Sequence, residues 1–230
     1  MVETVAIIPA RGGSKGIPQK NLVEICGKPL IVWSVEQALA AGSIDSVWVS
    51  SDSDPILEVA IDAGASPIKR PENISHDTAS SEAAWLHAID EIEKAGHKPD
   101  QVVGIQATSP IRESDDFEQA LKEFTVGGYD SLFTVMEMED FLVWKDGGAA
   151  GYSPVNYDYE NRQMRQAIER RYLENGSFYV FKTELLRQTN NRLGGVIGIY
   201  KMAKYKMYQI DDLDDVILCE VIMSGYNLID

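Results

Sequence analysis

The chain has 230 residues, enough to bury a full core in one domain without disulfide or metal staples. Hydrophobic residues make up 44% and charged residues 25%, the balance of an ordinary globular protein, which argues against disordered and fibrous classes. The formal net charge of -15 argues against a nucleic-acid backbone as main partner, because phosphate backbones demand a surplus of Lys and Arg.

Cationic residues nonetheless gather in two islands, Arg11, Lys15 and Lys20, and Arg162, Arg165, Arg170 and Arg171. Those islands are where a small anion would bind. Cys26 and Cys219 are far apart in sequence and show no metal or redox spacing, consistent with a reducing compartment. The N-terminus carries no basic leader with a long apolar run, and no segment reaches membrane-spanning length, so a cytoplasmic protein is expected.

Taken in chain order, Thr4 to Pro9 is a short apolar run ending at a glycine-rich loop. Pro29 to Gly42 then follows with helical spacing. Ser46 to Ser51 predicts a second buried strand, and Pro55 to Ala63 a helix closed by Gly64. A brief strand near Pro67 and Ile68, a polar loop from Arg70 to Ser80 and a helix from Ser81 to Ala95 come next. They are followed by a strand over Val102 to Gln106, a helix through about Asp115 to Phe124 and a strand over Ser131 to Val135. This alternation predicts an α/β, doubly wound, mainly parallel sheet with helices on both faces, a Rossmann-like arrangement.

From Met138 to Leu173 the regular pattern fails, over a stretch too long for a routine loop. We expect one domain over 1–230, with 138–175 as an inserted arm that covers the site or reaches a partner subunit. Strand-like Ser177 to Phe181 and Val196 to Tyr200 then rejoin the sheet. A short strand over Tyr208 to Ile210 is expected to lead through an acidic turn into a terminal helix bearing Val216, Ile217, Val221 and Ile222.

In open α/β sheets ligands bind beyond the carboxyl ends of the strands, where the first loop lies. There Gly12, Gly13 and Gly16 are expected to turn tightly and aim N–H groups at phosphate oxygens, while Arg11, Lys15 and Lys20 supply charge. Ile17, Pro18 and Gln19 stand where a Walker A loop needs Gly-Lys-Ser/Thr, and the glycine spacing is not GxGxxG. A polyphosphate that is neither held by a P-loop nor part of a dinucleotide is the remaining expectation.

The run AIIPARGGSKGIPQKN, residues 6–21, resembles the signature of the acylneuraminate cytidylyltransferase family, which joins CTP to keto-sugar acids. The resemblance implies that Arg11 and Lys15 meet the triphosphate as catalytic cations, that Asn21 meets the nucleoside, and that Lys20 is an accessory cation. Arg70-Pro71 with Asp77 to Ser81 resembles a family segment that closes on base and ribose, which nominates Arg70 and Ser80. Ser80 also fits a helix cap.

IQATSPIR, residues 105–112, resembles the family's LQPTSPLR with Ala107 in place of a proline, and places Gln106 beside base or acceptor. Arg165 and Gln166, with Glu174 to Ser177, resemble the elements that hold the sugar acid, although Ala167 and Glu169 depart from the usual Asp and Pro. The turn Gln209 to Asp215 resembles an element whose first aspartate binds Mg²⁺, nominating Asp211. Gln209 stands where many relatives have a further aspartate, and Asp215 is assigned to capping the last helix.

The implied reaction is attack of the acceptor's anomeric hydroxyl on the α-phosphorus of CTP with release of pyrophosphate, in a homodimer with Mg²⁺ as cofactor. Two alternatives stay open. One is a nucleotidyltransferase using another triphosphate or a sugar phosphate. The other is a non-catalytic nucleotide-binding regulator.

Overall fold

The computed structural model describes residues 2–14, 16–138, 142–164 and 169–229. Strand β1 (Thr4–Pro9) leads into the glycine-rich loop, a two-residue ladder of β2 (Glu24–Ile25) and β3 (Lys28–Pro29), and helix α1 (Leu30–Leu39). Next come β4 (Ser46–Ser51), α2 (Asp54–Asp62), β5 (Ser66–Lys69), α3 (Ser81–Lys94), β6 (Gln101–Ile105), α4 (Ser114–Val126) and β7 (Ser131–Met138). After β7 comes a small hairpin of β8 (Trp144–Asp146) and β9 (Tyr152–Pro154). The chain ends with β10 (Arg171–Lys182), α5 (Thr183–Thr189), β11 (Ile197–Lys201) and α6 (Leu213–Gly225).

Seven strands form one sheet in the order β11-β7-β10-β6-β1-β4-β5. Strand β10 runs antiparallel to both its neighbours, and every other pairing is parallel. The chain crosses from β1 to β4 and β5 on one side, then returns to β6 on the other. The strand order therefore reverses between β1 and β6, and the crevice beyond their carboxyl ends is the place for a ligand.

The two faces of β1 show why this sequence makes a sandwich. Ala6 and Ile8 point into a core shared with Ile31 and Val35 of α1, Ile56 of α2 and Phe117 of α4. Val5 and Ile7 point the opposite way, onto Trp85 and Ile89 of α3 and Leu186 of α5. A strand buried on both faces reads as a continuous apolar run, which is what TVAIIP is. A third cluster packs Cys219 and Met223 of α6 against Ile17, Ile25 and Trp33, seating the terminal helix beside the glycine-rich loop.

The doubly wound, mainly parallel sheet is as expected, and four elements differ from their sequence reading. Strand β10 starts at Arg171, six residues before the predicted Ser177, because a bulge between Glu174 and Tyr179 absorbs Asn175 and Gly176 within the strand. Strand β7 extends three residues past Val135 to pair with that early part of β10. The stretch between β7 and β10 contains a hairpin where no regular structure was expected. Tyr208 to Ile210 is not a strand: Ile210 N–H bonds Thr108 O at 2.8 Å, a single bond without a ladder.

Candidate nucleotide-binding site

The loop after β1 is stapled from both sides. Ala10 N–H donates to Ser50 O on β4 at 2.9 Å, and the Asn21 side-chain amide donates to Arg11 O at 3.0 Å. Gly12 N–H donates to Asp52 Oδ1 at 2.9 Å, so it is turned to this carboxylate and not outward to a phosphate as the sequence suggested. A carboxylate is the strongest acceptor nearby, and the bond to it is charge-assisted.

The glycines serve close approach. A Cβ at Gly12 would lie 2.8 Å from Ser53 Cβ, and one at Gly16 would lie 2.2 Å from Asp211 O. A Cβ at Gly13 meets nothing within 4 Å, so that backbone borders open space.

Residues from five chain segments converge on a cleft of ≈ 340 Å³ beyond β1 and β6, lined by Arg11, Lys20, Asn21, Arg70, Gln106 and Asp211, among others. Its size lies at the small end of ligand sites. Arg11 NH1 sits 2.6 Å from Asp77 Oδ1 at the mouth. Arg70, only 6% exposed, has Nε and NH2 buried without a hydrogen-bond partner among the described residues. Burial pushes its pKa down, against the pull of Asp52, whose Oδ1 is 3.9 Å away. A buried guanidinium with unmet donors is primed for an incoming acceptor.

Ser80 plays the capping part that its position allowed: its Oγ accepts Ala83 N–H at 3.2 Å at the start of α3, and the residue also lines the cleft. Gln106 is held by its backbone. Its N–H donates to Ser177 O at 3.1 Å, and its carbonyl accepts Arg112 NH1 at 3.2 Å. Arg112 is itself fully buried and also donates to Ser177 O and to Ser34 Oγ.

Lys20 is buried, with Nζ 2.8 Å from both Ile210 O and Asp211 Oδ1. It therefore fixes the acidic turn instead of standing as an independent cation. Within that turn Asp212 is the helix cap, accepting Asp214 and Asp215 N–H. Asp215 is its reciprocal partner, accepting the N–H groups of Asp211 and Asp212, so the two share the capping that was assigned to Asp215.

Asp211 is the carboxylate that the turn presents to the cleft, with its side chain 80% exposed. Among the described residues no group of three His, Cys, Asp or Glu could hold a metal by itself. Mg²⁺ takes one or two carboxylates and completes its shell with phosphate oxygens and water. An exposed carboxylate facing a phosphate-sized cleft fits that donor set.

Lys15, Arg165 and Gln166 lie outside the described residues. Sequence reasoning passed over Asp52, which holds Gly12 in place, and read Asp77 as part of a family segment without its pairing to Arg11. Asp52 could have been found from its position just past the carboxyl end of β4, beside β1.

The doubly wound sheet, with a cationic cleft at its switch point and a carboxylate at the rim, defines a nucleotide-handling α/β protein of the nucleotidyltransferase fold. The sequence matches the cytidylyltransferase family over residues 5–216. The chain belongs to that family. N-acylneuraminate cytidylyltransferase A of Danio rerio is 38% identical over 213 residues, 91% of this chain and 48% of that protein. The chain thus spans about half the length of that relative.

Pseudaminic acid cytidylyltransferase of Campylobacter jejuni is 30% identical over 227 residues, 96% of each chain. In fold, CMP:2-keto-3-deoxy-manno-octonic acid synthetase complexed with CTP aligns at a TM-score of 0.74 and 17% identity, covering 97% of this chain and 99% of that one. No helix among the described residues is long and apolar enough to cross a membrane.

Proposed function

We propose that this protein transfers a cytidylyl group from CTP to the anomeric hydroxyl of a nonulosonic sugar acid, releasing pyrophosphate. The observation that carries the reading is the convergence of Arg11, Lys20, Asn21, Arg70, Ser80, Gln106 and Asp211 on one cleft at the switch point. Family membership and relatives named for N-acylneuraminate and pseudaminic acid support it.

The triphosphate lies along the glycine-rich loop, with Arg11 and Lys15 neutralising its charge, and Arg70 gives its unmet donors to the nucleotide. Gln106, with Arg165 and Gln166 of the arm, holds the acceptor. The acceptor oxygen forms a bond to the α-phosphorus as the bond from that phosphorus to the bridging oxygen breaks; pyrophosphate takes the electron pair, and the hydroxyl proton passes to solvent. Catalysis is positioning and electrostatic stabilisation. Asp211 would hold Mg²⁺ together with phosphate oxygens, and the ion when bound neutralises charge on the leaving group.

The arm exposes Trp144, Tyr152, Tyr159 and Met164, at 45%, 74%, 58% and 80%. Such a surface fits a second copy of the chain, so a homodimer completes the reading. A cytoplasmic location fits the free thiols of Cys26 and Cys219.

The test incubates the protein with Mg²⁺, each nucleoside triphosphate and either N-acetylneuraminate or pseudaminate, and measures pyrophosphate. CTP-dependent, acid-dependent release is expected. Release with another triphosphate alone, or CTP binding without product, overturns the reading.

A further inference from the structure

The bulge in β10 is clamped by residues from three directions. Asn175, 3% exposed, receives Thr134 Oγ1–H and Ser177 N–H on its Oδ1, and its amide donates to Lys206 O at 3.2 Å. On the other side the Gln209 amide donates to Asn175 O at 2.5 Å. Gly176 sits at φ +65°, and a Cβ there would lie 2.6 Å from Gln209 Nε2. The glycine thus makes room for the Gln209 side chain as well as supplying the left-handed turn.

Both ends of this clamp lead to the cleft. Gln209 is two residues from Asp211, whose carboxylate Lys20 holds. Asn175 is two residues from Ser177, whose carbonyl accepts Gln106 N–H and Arg112 NH1. We propose that Gln209 is a positioning residue that, through the segment 174–177 behind Gln106, sets the Gln106 wall of the cleft against the Asp211 turn.

The inference rests on the cytidylyl-transfer reading of the cleft. An amide suits the part because Asn175 O needs a donor and the Gln209 side chain supplies one. A carboxylate of the same length would face that carbonyl with like partial charge. The Asp212 and Asp215 carboxylates of the turn are engaged in capping, so Gln209 supplies the turn's side-chain bond to the segment 174–177, beside the backbone bond from Ile210 N–H to Thr108 O.

The experiment compares wild type with Gln209→Met and Gln209→Glu. Three readouts are taken: CTP titration by calorimetry, steady-state kinetics with whichever of N-acetylneuraminate and pseudaminate the wild type uses, and hydrogen exchange of the whole protein. In both variants the acceptor KM is expected to rise about tenfold, the scale of losses when a residue that orients the site is removed, while CTP affinity stays within about twofold. Exchange is expected to quicken in the 171–182 peptide and to remain unchanged in β1 and β4.

Unchanged acceptor KM with unchanged exchange at 171–182 overturns the proposal. So does a uniform quickening of exchange throughout, which marks a merely structural role. If the wild type turns over neither acid, the transfer reading fails instead, and selective quickening at 171–182 still decides whether the clamp exists.

Discussion

Lys20 and Asp211, 191 residues apart in sequence, meet at 2.8 Å on the rim of the cleft, with the lysine buried and the aspartate exposed. The lysine also bonds Ile210 O, so it holds the acidic turn by backbone and side chain together. Removing either partner therefore has unequal consequences.

Asp211→Ala leaves the Lys20 ammonium buried with one carbonyl, and takes the only carboxylate that this turn offers the cleft. Turnover is expected to fall by about a thousandfold or more, while circular dichroism remains that of the wild type. Pyrophosphate release in the normal range would remove Asp211 from the metal role.

Arg11→Ala removes a guanidinium poised 2.6 Å from Asp77 at the mouth. The pair is partly exposed and contributes little to stability, on the order of 0–1 kcal/mol. The expected result is a loss of about a hundredfold or more in kcat/KM for CTP with a melting temperature close to the parent. Steady-state kinetics at saturating acceptor check this.

Gly16→Ala places a Cβ against Asp211 O, which cannot move without shifting the turn. Destabilisation of about 1–3 kcal/mol is expected from the forced displacement, read as a lower urea midpoint at constant m. Gly13→Ala is the control: its Cβ enters open space, so stability stays within about 0.5 kcal/mol.

Arg112→Met strips the hydrogen bonds to Gln106 O, Ser177 O and Ser34 Oγ from a fully buried position. Ser34 and Ser177 are fully buried, so water cannot replace the guanidinium there. A loss of about 3–5 kcal/mol is expected, measured by urea denaturation.

Alkaline stability follows from groups that burial holds neutral. Desolvation pushes the Cys219 thiol up from 9.0 to about 12 and the Tyr179 hydroxyl from 10.0 to about 12, the latter helped by its bond to Glu174. Folded values above unfolded ones mean that this stability is fully present below pH 9 and is lost as pH climbs toward 12. Melting temperature should be level from neutrality to pH 9 and then fall steadily. Cys219→Ser, which has no thiol to titrate, should show a shallower decline.

The sequence and the structure agree most closely where burial is greatest. Strands β1 and β4 begin and end where predicted, because their apolar centres, Val5 to Ile8 and Val47 to Val49, are flanked by small polar residues or Pro. Strand β10 begins earlier than its sequence reading because its first residues fall where the regular pattern fails, and nothing local says that Asn175-Gly176 sits in a bulge inside a strand. The cleft was legible through its glycine-rich loop and scattered short motifs. Asp52 was not, since a lone acidic residue in a loop has no spacing to mark it, and Gly12 N–H meets Asp52 only once β4 is paired to β1.

The antiparallel β10 also dictates an order of assembly. As the chain is synthesised, β5, β4, β1 and β6 can pair, but the outer edge of β6 stays bare until residues 171–182 emerge and slot between β6 and β7. An open edge of Val102, Val103 and Ile105 is a template for pairing with other chains. Truncation before Lys182 should thus yield aggregates instead of a smaller soluble domain, and insertion of β10 is the step at which nascent chains are committed to the native sheet.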